Sequence, residues 1–179
     1  MTIRLATAAV ASVAAIGVAG VASASSGHGA KTYKGTLAAV EPAATTAGVP
    51  NVRGRVQLVD GRKSNKVSLH VRHLAPHTTY LWHVHVGTCA ATGAPVAGWK
   101  YRTADAAGNG TLTSNAHGNA NTKGKSATFN ADPAQSYSVN VHVAAPTNGL
   151  AAGTIIACAD LKPTKHPHPH QSHGKGPKS

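Results

Sequence analysis

The chain has 179 residues, with 17 Lys plus Arg against 5 Asp plus Glu and a formal net charge of +12. Aromatic residues make up 4% of it and charged residues 12%, and the cations are scattered without interleaved aromatics, which argues against nucleic acid as a partner. Such an excess of positive charge favours small anions or anionic cell-envelope polymers instead.

Met1 to Ala24 reads as a secretory signal. Arg4 supplies a charged start, Leu5 to Val21 is apolar or small without a charge, and Ala22-Ser23-Ala24 is a small-x-small cleavage site. No Cys lies at that site, so no lipid anchor is expected, and cleavage leaves no transmembrane anchor; the protein is expected outside the cell or in its envelope. Cleavage after Ala24 puts His28 fourth in the new chain rather than third, so no square-planar amino-terminal copper site is expected.

Residues 25–32 are expected to be a disordered lead-in, and residues 33–161 suffice for one domain with one core. Eight short segments have β character: 33–40, 52–59, 66–74, 79–86, 110–114, 125–130, 137–143 and 153–161. Turn signals separate them, among them Asp60-Gly61, Ala75-Pro76, Gly108-Asn109-Gly110 and Asp132-Pro133. Val56 and Leu58, then Val67, Leu69 and Val71, alternate with polar neighbours, as antiparallel strands with one wet face do. No stretch holds a helical period. The fold class is therefore all-β, a Greek-key β-sandwich or flattened barrel of about eight antiparallel strands.

In Thr79–Val86 a period of two puts Tyr80, Trp82, Val84 and Val86 on the core face and Leu81, His83 and His85 on the other. In Tyr137–Val143 the core face is Val139, Val141 and Val143, so His142 emerges on the outer, polar face. Three outward histidines are either solvated side chains or a T-shaped or trigonal nitrogen site suited to copper. Trp82 is expected in the core, with Trp99 and Tyr101 capping the core edge or a metal pocket. Cys89 and Cys158 are the only cysteines, and a lone pair in an exported chain is expected to form a disulfide.

Past Leu161, residues 162–179 form a tail rich in His, Pro and Lys, expected to be extended and disordered. His166, His168, His170 and His173 there can capture Cu(II), Ni(II) or Zn(II), or serve only as part of a basic tail that binds envelope polymer.

His83-Val84-His85, the later Val-Asn-Val-His142-Val and Ile155-Ile156-Ala157-Cys158-Ala159-Asp160-Leu161 resemble the copper strands and closing Cys segment of copper/zinc superoxide dismutases. The run His83 to Val96 is closer in spacing to the related CHRD modules, with their His-x-His-x-Gly…Gly-x-Pro-Val pattern and later Tyr-x-Val-Asn-Val-His. The resemblance covers about Lys34 to Leu161. It implies copper on His83, His85 and His142, a Cys89–Cys158 disulfide, and superoxide as the small anion consumed as copper cycles between Cu(II) and Cu(I).

The departures are as informative. Residues 90–110 contain no His and, of the carboxylates, only Asp105, whose setting is that of a turn former, so no zinc site is expected. Gly153, Thr154, Ile155 and Ile156 fill the interval where the dismutases carry a guiding Arg. A fourth copper ligand has to come from His117, in a loop able to fold over the site, or from His70, His73 or His77. Three functions stay open: a zinc-less, copper-only redox enzyme, a copper-capture protein, and a CHRD-like structural module.

Overall fold

The structure, a computed structural model, describes residues 30–61 and 63–164. The signal segment, residues 25–29, and the tail histidines His166, His168, His170 and His173 lie outside the described residues.

Ten strands form one antiparallel sheet: β1 (Lys31–Ala39), β2 (Arg53–Asp60), β3 (Asn65–Arg72), β4 (Thr79–Gly87), β5 (Thr92–Pro95), β6 (Lys100–Tyr101), β7 (Gly110–Thr113), β8 (Ala120–Ser126), β9 (Tyr137–Val143) and β10 (Ile155–Pro163). Their order is β5-β4-β9-β10-β1-β2-β3-β8-β6, with β7 pairing the other half of the β4 edge. The sheet curls into a flattened barrel. Its two ends approach each other where the Arg102 amide donates to Lys123 O at 2.8 Å and the Thr111 amide donates to Thr103 O at 2.9 Å.

The alternating residues make the core. Val56, Leu58, Val67, Leu69, Val71, Val84, Val139 and Val141 are each no more than 2% exposed, and burying a side chain of this size stabilises the fold by roughly 1.5–3 kcal/mol. Trp82 lies at the centre, its ring edge-on to Tyr101 with centroids 4.7 Å apart. Trp99 stacks on Phe129, which meets Tyr137, and these three close the core edge. Beside Trp82 the chain passes at Gly110. A Cβ there would come within 2.7 Å of Trp82 Nε1 and 2.8 Å of the Tyr101 ring, so a larger residue would push β7 off the core.

Several boundaries differ from the sequence expectation. β5 and β6 arise in the stretch read as loop, because strands of four and two residues are too short to show alternation. β8 lies earlier than 125–130: its buried residues are Ala120, Thr122, Gly124 and Ser126, small or polar positions that carry no hydrophobic period. β1 begins at Lys31 and β10 runs to Pro163, two residues beyond the expected domain at each end. One helical turn, α1 (Ala43–Thr46), sits in the β1–β2 connection with Ala44 in the core.

Val86, expected in the core, is exposed, beside a register shift between His85 and Gly87 in the pairing of β4 with β5. The larger correction concerns the polar face of β9. Ser138, Asn140 and His142 are 0%, 0% and 6% exposed, so this outer face is covered by the connections that fold back over it. Cys89 and Cys158 form a disulfide with Cα atoms 5.7 Å apart. Together with the Cys89 amide, which donates to Asp160 Oδ1 at 2.7 Å, it staples the β4–β5 loop onto the outside of β10.

Candidate metal centre

Strand pairing sets the site. β4 and β9 are neighbours with His83 opposite Asn140 and Leu81 opposite His142, so His142 lies diagonal to His83 on the same face. The ring centroids of His83 and His142 are 5.1 Å apart, those of His83 and His85 5.6 Å, and those of His85 and His142 5.7 Å. One nitrogen from each ring lies within 4.8 Å of the others, close enough for all three to reach one ion at ordinary metal–nitrogen distances of about 2 Å.

Three different connections each hold one ring. His85 Nδ1 lies 2.9 Å from the Gly93 carbonyl on β5, and His142 Nδ1 lies 2.8 Å from the Gly153 carbonyl in the β9–β10 connection. A carbonyl only accepts, so in both rings Nδ1 carries the hydrogen and Nε2 keeps its lone pair. His83 Nε2 lies 2.9 Å from Asn109 Oδ1, in the β6–β7 connection. The orientation of that amide is settled by its other end: Asn109 Nδ2 donates to Asp105 Oδ2 at 2.8 Å, and a carboxylate only accepts. His83 therefore donates from Nε2 and turns the lone pair of Nδ1 into the site.

Asp105 is itself well held. Its Oδ1 accepts from the Ala107 and Asn109 amides at 3.0 and 2.8 Å. The Asn109 side-chain bond above all, with these amides and the nearby His83 adding, holds its carboxyl below the usual carboxylate range. Expected as a turn former, Asp105 also aims the group that orients His83.

The electrostatics keep the lone pairs free. Burial lowers the pKa of His83, with His85 adding to the effect and the Asn109 bond opposing it. Burial likewise pushes His142 down to about 4. Both rings are neutral at pH 7, so His83 Nδ1 and His142 Nε2 face each other at 3.4 Å as two lone pairs. Such a contact is repulsive alone and favourable with a cation between. His85 Nε2 is buried without a hydrogen-bond partner in the protein, the third lone pair directed to the same place. A buried polar atom of this kind calls for a partner, and three imidazole nitrogens turned to one place fit a transition-metal ion.

The other sequence candidates do not join this group. His117 is exposed in the β7–β8 turn, where its amide takes Asn115 Oδ1 at 2.9 Å. His70 is exposed on the outer face of β3, and His73 and His77 occupy left-handed positions in the β3–β4 turn with φ 61° and 52°. Among the described residues, His83, His85 and His142 are the one group of three or more His, Cys, Asp or Glu side chains placed to hold a metal ion. Tyr101 is near, with its ring 6.4 Å from that of His83, and burial raises its pKa to about 12, so it stays a neutral phenol. Asn109, Gly93 and Gly153 carried no sequence signal beyond turn formation, since two of them act through backbone carbonyls.

No protein-family model matches the chain, and no curated protein matches it.

Proposed function

We propose that this is a secreted copper-binding domain of the superoxide dismutase-like, zinc-less type, which disproportionates superoxide at a site built from His83, His85 and His142. The observation that carries the reading is the convergence of three lone pairs whose tautomers are fixed by hydrogen bonds to Gly93, Asn109 and Gly153. Copper is favoured over zinc because the three donors are all imidazoles, the cysteines are committed to a disulfide, and Cu(II) binds nitrogen sites more tightly than Zn(II) does. When bound, copper supplies one-electron exchange with superoxide. The chain's own part is to hold the rings, keep two of them dry and leave half-buried His83 on the side from which a small anion arrives. The net charge of +12 favours that arrival. Export is supported by the signal-like start and the disulfide; among the described residues no helix is long and apolar enough to cross a membrane.

One observation favours a second reading, copper capture without turnover. Asp105 stands close enough to His83 to act on it electrostatically, which puts negative charge beside the most accessible ring. The test uses the full chain with His166, His168, His170 and His173 replaced by Gln, titrated with Cu(II) under electron paramagnetic resonance and then assayed for superoxide loss. A three-nitrogen pattern that His142→Ala abolishes, with activity, is expected. The pattern without activity would select copper capture, and no pattern would leave a CHRD-like structural module.

A further inference from the structure

The outer face of β10, β1, β2 and β3 forms an open groove of about 840 Å3, walled on one side by the β4–β5 loop at Cys89. Lys34, Arg55 and Lys162 line it over a polar floor of Gln57, Ser68 and His70, and Asp160 is its one carboxylate. Register arranges these residues in rows across the strands. Lys34 stands opposite Lys162 on one side and Gln57 on the other, and Gln57 leads through Ser68 to Lys123 on β8. Two more sets of like charges sit directly opposite one another on the same surface. Lys100, Lys125 and Lys66 form a row on β6, β8 and β3, and Arg53 faces Arg72. All these cations are exposed, and among the described residues none is held in an ion pair.

Like charges placed opposite each other on neighbouring strands cost stability. The face keeps nine cations within one curved surface, seven of them directly opposite another, at the spacing of a sheet: about 4.8 Å between strands and roughly 6.7 Å between alternate residues along a strand. That lattice suits a flexible chain of regularly spaced anions. The Trp, Tyr and Phe residues lie elsewhere, buried or half-buried in and around the core, so the groove has only the small ring of His70 on which a base or sugar could stack. It reads charge and spacing above all.

We infer that this face is a docking surface for a linear polyphosphodiester, laid across the strands along the groove with its phosphates on Lys34, Arg55, Lys123 and Lys162. The inference is independent of the copper site, which lies on β4 and β9 and whose three histidines do not line the groove. A wall polymer of polyol phosphates has this chemistry.

The test is binding of poly(glycerol phosphate) to the full metal-free chain as a function of salt. The logarithm of the affinity falls with the logarithm of salt by about 0.7 for each phosphate neutralised on a flexible single chain. The variant Lys34→Gln/Arg55→Gln/Lys123→Gln/Lys162→Gln is expected to lower that slope by about 3, at about 0.7 for each of four contacts. Lys34→Gln/Lys123→Gln is expected to lower it by about 1.4 on the same basis, and serves if the fourfold variant melts early. A charge-matched control, Lys63→Gln/Lys165→Gln/Lys175→Gln/Lys178→Gln, is expected to leave the slope almost unchanged. Equal losses in the control and the face variant would reduce the effect to diffuse charge and overturn the surface. Equal or tighter binding of oligo(dT) or polyglutamate would overturn the choice of polymer.

Discussion

Two outer faces of the same sheet carry the same alternation and meet opposite fates. On β4 and β9 the outward residues His85, Ser138, Asn140 and His142 are buried beneath the connections that follow β4, β6 and β9. On β1, β2, β3 and β8 the outward residues Lys34, Arg55, His70 and Lys123 are exposed. The difference does not reside in the strands. A period of two says which residues share a face, and only the connections decide whether that face meets water. The covered face obtains oriented imidazoles; the open one keeps solvated charge.

The contrast is broken most strongly by releasing the cover. Cys89→Ser/Cys158→Ser opens a loop of 69 residues' separation, and the chain-entropy argument gives a loss of about 4 kcal/mol. Denaturant unfolding should report that loss, and hydrogen exchange should quicken in β5 and in the amide of Cys89. A midpoint unchanged within error would show that the loop needs no staple.

Acid should act on the covered face next. His142 titrates at about 4 in the fold and near 6.5 in an unfolded chain, which therefore takes up its proton first. The sign follows: stability is full above about pH 6.5, falls as pH drops toward 4, and levels off below, with an amplitude on the order of 3 kcal/mol. Urea midpoints of metal-free protein between pH 7 and 4 measure this, and His142→Gln should flatten that part of the profile. An unchanged slope in that variant would place the acid sensitivity elsewhere.

A smaller effect is expected one step out from the three histidines. Asn109→Leu removes the acceptor that holds His83 Nε2–H, and loss of such an outer partner costs about 10–100-fold in metal affinity. Competition with a chromophoric chelator reads that change, and Asp105→Asn should give a lesser loss in the same direction. The smallest effect sharpens the comparison from the open side. Arg55→Gln or Lys123→Gln should alter stability by no more than about 0.5 kcal/mol, as exposed substitutions away from such features do. Thermal melting that showed a drop of several degrees would mean these side chains are structural.

Much of this arrangement was legible in the sequence, for reasons that also mark its limit. Val56, Leu58, Val67, Leu69, Val139 and Val141 announce strands because their burial follows the pleat. The same pleat places His83, His85 and His142 on one side of neighbouring strands. β8 was misplaced because it buries Ala120, Thr122, Gly124 and Ser126, which no hydropathy pattern distinguishes from a loop. The orientation of the rings was illegible for a different reason. Gly93 and Gly153 contribute carbonyls that every residue possesses, and Asn109 reaches His83 across 26 residues of chain. His117 failed as a fourth ligand because a loop able to fold over the site in principle is instead fixed in a tight turn of its own, with Asn115 Oδ1 accepting from the His117 and Asn119 amides.

The stapled loop also sets a chronology. Gly93, whose carbonyl chooses the tautomer of His85, follows Cys89 by four residues, and Cys89 is anchored to β10 by its bond to Cys158 and by Asp160. In a chain whose cysteines are still thiols, the Asp160 bond remains as the tie from Cys89 to β10, and Gly93 is held by the pairing of β5 with β4 alone, so the His85 ring loses part of its support. Two rings would then keep their full support and the third would be held less firmly. Thiol oxidation is thus expected to firm up the three-histidine group before it takes up a metal ion, and metal titration of the reduced against the oxidised chain would test that order.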